Sequence, residues 1–243
     1  MKVLNKIIII VILVACLYAA FLIASDVSKI SEKISSFKIE FLPIIISLVT
    51  SGWFILFARW HLLLKNSKIF IPKKDNLVIF FSSFALAVIP GKMGDLIKSQ
   101  LLKTKFGIPR SRTVPIVMLE QLYTVIGLVF VSFFGIWYFE LGTYVIGFFT
   151  ALLVFVFILI SSRKTFNKMV LLLGKWKYTS KFVEPLSSSY DTIKTSIKGP
   201  MVFYASALTA VFWLIETIVV YFVLLSFGID SIEFLKVIPT YTT

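Results

Sequence analysis

Ile89-Pro90-Gly91-Lys92-Met93-Gly94-Asp95-Leu96-Ile97-Lys98 interrupts the apolar run 77–89 with residues that cannot continue a helix. Pro90 lacks an amide N–H and Gly91 carries no Cβ penalty, so the chain breaks there. Gly94 and Asp95 then open a new helix, Asp95 being a favourable N-cap residue type. Lys92 and Lys98 flank that helix start. Free backbone N–H groups, the positive end of a helix dipole and two ammonium groups together suit an anion, phosphate above all. The spacing is not that of a Walker A loop. The same residues also fit a plain helix-loop-helix turn with interfacial lysines, and residue types alone leave both readings open.

The surroundings of this break are those of a membrane protein. Of 243 residues, 58% are hydrophobic, and the mean hydropathy is +0.95. Soluble domains carry roughly 45–50% apolar residues. Several apolar runs approach the ~20 residues needed to cross a bilayer. The fold class is an all-α polytopic membrane protein. The net charge of +13 comes from basic residues lying between apolar runs. They report topology and contact with anionic headgroups, and nucleic acid is not an expected partner. Cys16 is the lone cysteine and His61 the lone histidine. A disulfide within the chain, a zinc cluster and a Ser-His-Asp triad are therefore not expected, and no metal or cofactor is implied.

In chain order, residues 7–24, 41–64, 113–138, 143–160 and 200–227 read as five full spans. The first lacks a small-residue cleavage site and is followed by more spans, so it reads as retained. The run 77–89 has only 13 residues, about 20 Å of helix, short for a ~30 Å hydrocarbon core. Lysine-rich loops lie on both sides of it. A re-entrant helical hairpin over 77–105, turning at Pro90-Gly91, explains both facts. Residues 161–199 form a basic, partly amphipathic cytoplasmic segment in which Phe166, Met169, Val170, Leu173 and Trp176 recur at helical spacing. That pattern suits a helix lying on an anionic membrane surface. Residues 231–243 start a further element. No linker divides the chain, so 1–243 is a single transmembrane domain. With a cytoplasmic N-terminus and a re-entrant 77–105, twenty of the twenty-five Lys and Arg fall inside. The bias favours that topology for a multi-pass protein of the cell membrane.

Arg59, Glu120 and Glu216 are ionisable residues in or at the edge of spans. An intramembrane charge costs at least ~2.5 kcal/mol on insertion scales and marks a functional hypothesis. Arg59 lies near a span end and could snorkel to headgroups. Glu120 and Glu216 have short side chains and call for a buried partner or a wet cavity. A structural Arg–Glu pair inside the bundle is the alternative for all three. Trp53, Trp60, Trp137 and Trp213 fit interface belts or helix packing.

Residues 89–98 resemble the P-G-[RK]-x-G-[ED]-x-x-[RK] signature of the flippase-like membrane family related to the transmembrane region of lysylphosphatidylglycerol synthases. Met118-Leu119-Glu120-Gln121-Leu122 resembles its second mark, E-R-x-x-D in a span, and the layout is similar across nearly the whole chain. The resemblance implies an integral membrane protein that binds or translocates an anionic phospholipid or a polyprenyl-phosphate-linked glycolipid. It also implies that Pro90, Gly91, Lys92, Gly94, Asp95, Lys98 and Glu120 are its functional positions. Two departures stand out. Gln121 and Tyr123-Thr124 occupy the place of the family's Arg and Asp. The chain also stops at Thr243, where family members continue through further spans and a second glycine-rich break. On that comparison, a fragment lacking the later spans is one expectation.

The leading expectation is lipid binding or transport without catalysis. Lys92, Lys98 and the Gly94-Asp95 helix start would capture the headgroup, with Asp95 mainly a cap. Arg59, Glu120 and Glu216 would line or brace the cavity. The alternatives are a membrane enzyme using Glu120 or Asp95 as base, or an accessory subunit. The expected partners are the lipid and the membrane, together with a membrane-protein partner or further copies of the chain.

Overall fold

The computed structural model describes residues 16, 34–84, 95–134, 140–175, 187, 190, 191, 193, 194, 199–229, 234 and 237. All regular structure among them is helical: α1 (Leu42–Asn66), α2 (Lys73–Ser82), α3 (Leu96–Phe106), α4 (Arg110–Ser132), α5 (Glu140–Ser161), α6 (Arg163–Gly174) and α7 (Pro200–Ser226). A 3-10 turn, Ile39–Phe41, leads into α1. Nearly all of the expected span 7–24, and the break carrying Pro90, Gly91, Lys92 and Gly94, lie outside the described residues, as does most of 231–243.

Among the described residues, three helical stretches are long and apolar enough to cross a membrane: Ile39–Asn66, Arg110–Ser132 and Pro200–Ser226. They coincide with three of the expected spans, and α5 covers a fourth expected run. Helix starts carry prolines where a missing N–H costs least. Pro43 lies in the first turn of α1 and Pro200 opens α7. The two short helices α2 and α3 measure 10 and 11 residues, about 15–17 Å each. Gly107 stops α3 with φ +67°, its N–H bonding to the Lys103 carbonyl while the Ile108 N–H reaches Leu102. This left-handed cap turns the chain at once into α4.

Helix α7 packs along α1 and α4, and α3 lies against α4. Between them is a core of Trp60, Leu63, Phe80, Leu102, Leu119 and Ala205 with neighbouring apolar side chains. The α4–α7 approach is close at Gly127. A Cβ there would sit 2.5 Å from Thr209 Cγ2 and 3.0 Å from the Thr209 backbone carbonyl carbon. At one end of the bundle, Asp75 at the start of α2 pairs with Lys105 at the end of α3 at 2.5 Å. There too, Arg112 at the start of α4 donates to the Ser67 carbonyl just after α1.

In helix α6, two residues of the expected apolar stripe are covered. Phe166 and Val170 do not form an open stripe toward lipid. Both are buried against Tyr190, with the Phe166 and Tyr190 rings 5.0 Å apart. Tyr190, beyond α6, is the apolar cover of these two side chains. Leu171 and Leu172 are exposed instead.

Gly127→Ala should lower the melting temperature in detergent, because neither helix backbone can yield cheaply; overpacking of this kind costs roughly 1–3 kcal/mol. Gly147→Ala in α5, where a Cβ meets nothing within 4 Å, should leave it unchanged or slightly raised. Circular dichroism melts of the two variants decide the matter, and equal behaviour would refute the close approach.

Candidate functional site

Three helices deliver charge to one buried point. Glu120 lies ten residues into α4, about 15 Å from its start. Lys98 is the third residue of α3 and Asp95 immediately precedes that helix. Arg59 comes from α1. Lys98 Nζ donates to Glu120 Oε2 at 2.5 Å and lies 3.5 Å from Asp95 Oδ1. Arg59 Nη2 stands 3.8 Å from Glu120 Oε1. Arg59, Lys98 and Glu120 are each 2–3% exposed. Two cations thus face two carboxylates, and the formal charge of the group is zero. Buried ions are tolerable only when paired and further hydrogen-bonded, and this cluster meets both conditions.

Neutral partners complete it. Arg59 Nη1 donates to Thr124 Oγ1 at 3.1 Å and to Thr209 Oγ1 at 2.8 Å. Each threonine hydroxyl in turn donates to a carbonyl one helical turn earlier, Glu120 or Ala205. Gln121 Nε2 donates to Asp95 Oδ2 at 2.6 Å. The Lys98 ammonium also lies 4.7 Å from the Trp60 ring centroid and 5.4 Å from that of Phe80, within the range of a cation–π contact. Trp60 Nε1 donates to Asn76 Oδ1 at 2.9 Å, and Asn76 Nδ2 lies 3.0 Å from His61 Nδ1. The indole can only donate, so the Asn76 oxygen must face it. Its amino group then faces His61, whose Nδ1 is the acceptor.

Sequence reasoning named four members of this cluster; Glu120 has the buried partners expected of it, and the structure changes the part of the other three. Arg59 does not snorkel; its head is turned inward onto α4 and α7. Lys98 is not an open ligand at a helix start but the buried partner of Glu120. Asp95 makes no side-chain cap hydrogen bond. Its own backbone is already helical (φ −62°, ψ −24°), whereas an N-cap residue is normally extended. Its carboxylate therefore turns to Gln121 and Lys98 rather than to the amides of the first turn. Glu216 is brought to a different level. Its Oε1 lies 3.6 Å from where a Cβ on Gly52 would be, seven residues before Arg59 on α1, about 10 Å away along the axis. It is half-buried between α1 and α7 rather than turned to lipid alone.

Trp60, Asn76, Thr124, Thr209 and Gln121 were not picked out as site residues. Thr124 carried a faint signal, one helical turn after Glu120. Trp60, fully buried, belongs to helix packing and not to an interface belt. Among the described residues, no group of His, Cys, Asp and Glu could hold a metal ion.

A family model described as the lysylphosphatidylglycerol synthase TM region matches residues 7–241, nearly the whole chain. Comparison with curated proteins and with solved structures gives no match.

Charge balance makes a prediction. Lys98→Met or Glu120→Leu alone leaves the cluster with one uncompensated charge and should cost ~3–5 kcal/mol. The double variant restores balance and should be more stable than either single one. Melting temperatures of the four proteins in one detergent test this; additive losses would refute the pairing.

Proposed function

Because the chain belongs to the family of the lysylphosphatidylglycerol synthase transmembrane region, we propose that it binds an anionic lipid headgroup within the membrane and passes it across. The substrate class is a phospholipid or a polyprenyl-phosphate-linked glycolipid. The observation that carries this reading is the balanced cluster of Arg59, Lys98, Glu120 and Asp95, set inside the bundle at the start of α3. Ionisable groups at such depth mark substrate paths, since packing alone would be served by apolar residues. In sequence, the break with Pro90, Gly91, Lys92 and Gly94 immediately precedes that helix start. An arriving phosphate would meet the N–H groups of the first turn of α3, the Lys92 ammonium and, behind them, Lys98.

The accompanying topology is a re-entrant hairpin over 77–105 with the N-terminus cytoplasmic, in the cell membrane. Two features support it. Helices α2 and α3 are each too short to cross a ~30 Å core. The Asp75–Lys105 pair and the Arg112–Ser67 bond hold the start of α2, the end of α3, the end of α1 and the start of α4 at one level. Cysteine labelling at positions 73, 103 and 175 on a Cys16-free background should place all three on one side. Position 103 opposite position 73 would overturn the hairpin.

The binding site is tested by substitution at the break. Lys92→Gln removes one charged hydrogen bond and should weaken phosphatidylglycerol binding about ten- to hundredfold, with little change for phosphatidylcholine. Gly94→Val should do at least as much harm by blocking close backbone approach. Lys68→Gln, on an exposed loop, should cost little. Equal losses in all three variants would mean diffuse surface electrostatics, and no loss would mean that the break is only a turn.

A further inference from the structure

The guanidinium of Arg59 is hydrogen-bonded through Nη1, and its other two nitrogens are less well served. Its Nη1 is saturated by Thr124 and Thr209. Its Nε, buried in a residue 3% exposed, has no hydrogen-bond partner. Its Nη2 has Glu120 Oε1 at 3.8 Å, beyond hydrogen-bond range. Nε and Nη2 form one edge of the planar group, and their two N–H bonds point the same way. This edge is a fork for a carboxylate or phosphate, with Nε unpartnered and Nη2 in ion-pair range of Glu120, inside a bundle where an unpaired donor is costly.

One carboxylate lies within ion-pair range of its Nη2 end. Glu120 offers Oε2 to Lys98 and leaves Oε1 toward Arg59. A shift of about 1 Å would close Oε1 onto the fork at an ordinary charged hydrogen-bond distance. We infer that Glu120 exchanges partners, held by Lys98 when the site is empty and taken up by the Arg59 fork when a phosphate group claims Lys98. This rests on the anionic-lipid reading above and adds to it how the buried charge is managed. Without the exchange, a phosphate at Lys98 would leave Glu120 without its close partner in a water-poor interior. With it, Lys98 pairs with phosphate and Glu120 with Arg59, so Glu120 keeps a close cation when Lys98 is taken. The two threonines hold Nη1 fixed, so the fork waits in position for Glu120. Since Lys98 belongs to α3 and Arg59 to α1, the exchange also loosens α3 from α4 and tightens α4 on α1. No covalent step is involved.

The test is a pair of double-variant cycles, Arg59→Lys with Glu120→Gln and Lys98→Met with Glu120→Gln, read as melting temperatures of the full chain. Each is measured in nanodiscs of phosphatidylcholine, of phosphatidylcholine with phosphatidylglycerol, and of phosphatidylcholine with added inorganic phosphate. Arg59→Lys keeps the charge but removes the fork. On adding phosphatidylglycerol, the Arg59–Glu120 non-additivity should rise about twofold or more, and the Lys98–Glu120 value should fall by about half. The same change with inorganic phosphate alone would support the exchange and make free phosphate its trigger. A wild-type melting temperature raised by phosphatidylglycerol, with both couplings unchanged, would overturn the exchange and leave the lipid reading standing. No response of the wild type to either anion would overturn both. If a variant does not fold, difference infrared spectra of the wild type serve instead. The carboxylate stretch of Glu120 should move on adding phosphatidylglycerol, and a carboxylate region that stays still would overturn the proposal.

Discussion

The contact between Lys98 and Glu120 constrains the other residues around it. It joins a short helix to a long one at a depth where neither ion could remain alone. Its presence dictates much of its environment. A second cation and a second carboxylate, Arg59 and Asp95, keep the group neutral. Aromatic faces from Trp60 and Phe80 close over the ammonium where water would otherwise be needed. Trp60 is itself fixed by Asn76, so a residue at the start of α2 helps to hold a charge at the start of α3. Removing any one of these charges would leave an ion to be compensated by something less suited.

Helix α3 is held at its two ends by different physics. At the inner end the holding pair is 2–3% exposed and unscreened. At the outer end Lys105 and Asp75 meet at side-chain exposures of 54% and 30%, where an ion pair contributes ~0–1 kcal/mol and weakens with salt. The left-handed Gly107 then sets the angle into α4 regardless of charge. Any event that weakens the inner pair therefore acts on the main fastening of α3, while changes at the outer rim alter little.

Hydropathy made the long helices legible. The expected 41–64 and 200–227 differ from α1 and α7 by no more than two residues at either end, because an apolar run of that length has few alternatives to a span. Glu120 was legible for the same reason in reverse, as a charge with nowhere to go in an apolar stretch. Its partner was not. Lys98 stands 22 residues away, across a turn whose geometry sets the pairing, and its place at a helix start pointed to an anion from outside the chain. Arg59 allowed two outcomes, outward to headgroups or inward to α4 and α7, and the sequence near a span end suits both. Thr209 decides in favour of the second, and no local pattern connects residues 150 positions apart.

The departures from the family's pattern then acquire a physical meaning. The E-R-x-x-D mark that Glu120 resembles would put an arginine at the position of Gln121 and an aspartate at that of Thr124. In this chain Gln121 donates to Asp95 and Thr124 accepts from Arg59. An arginine in the first place would face a carboxylate, and an aspartate in the second would face a guanidinium. Both replacements keep the hydrogen bond and discard the charge, one of each sign. A matched arginine and aspartate would add one charge of each sign, and without them the buried group is neutral with four ions. Replacing only one of the two would have stranded a charge in the core. In this chain the total charge at this depth is held at zero by four ions and their neutral hydrogen-bond partners.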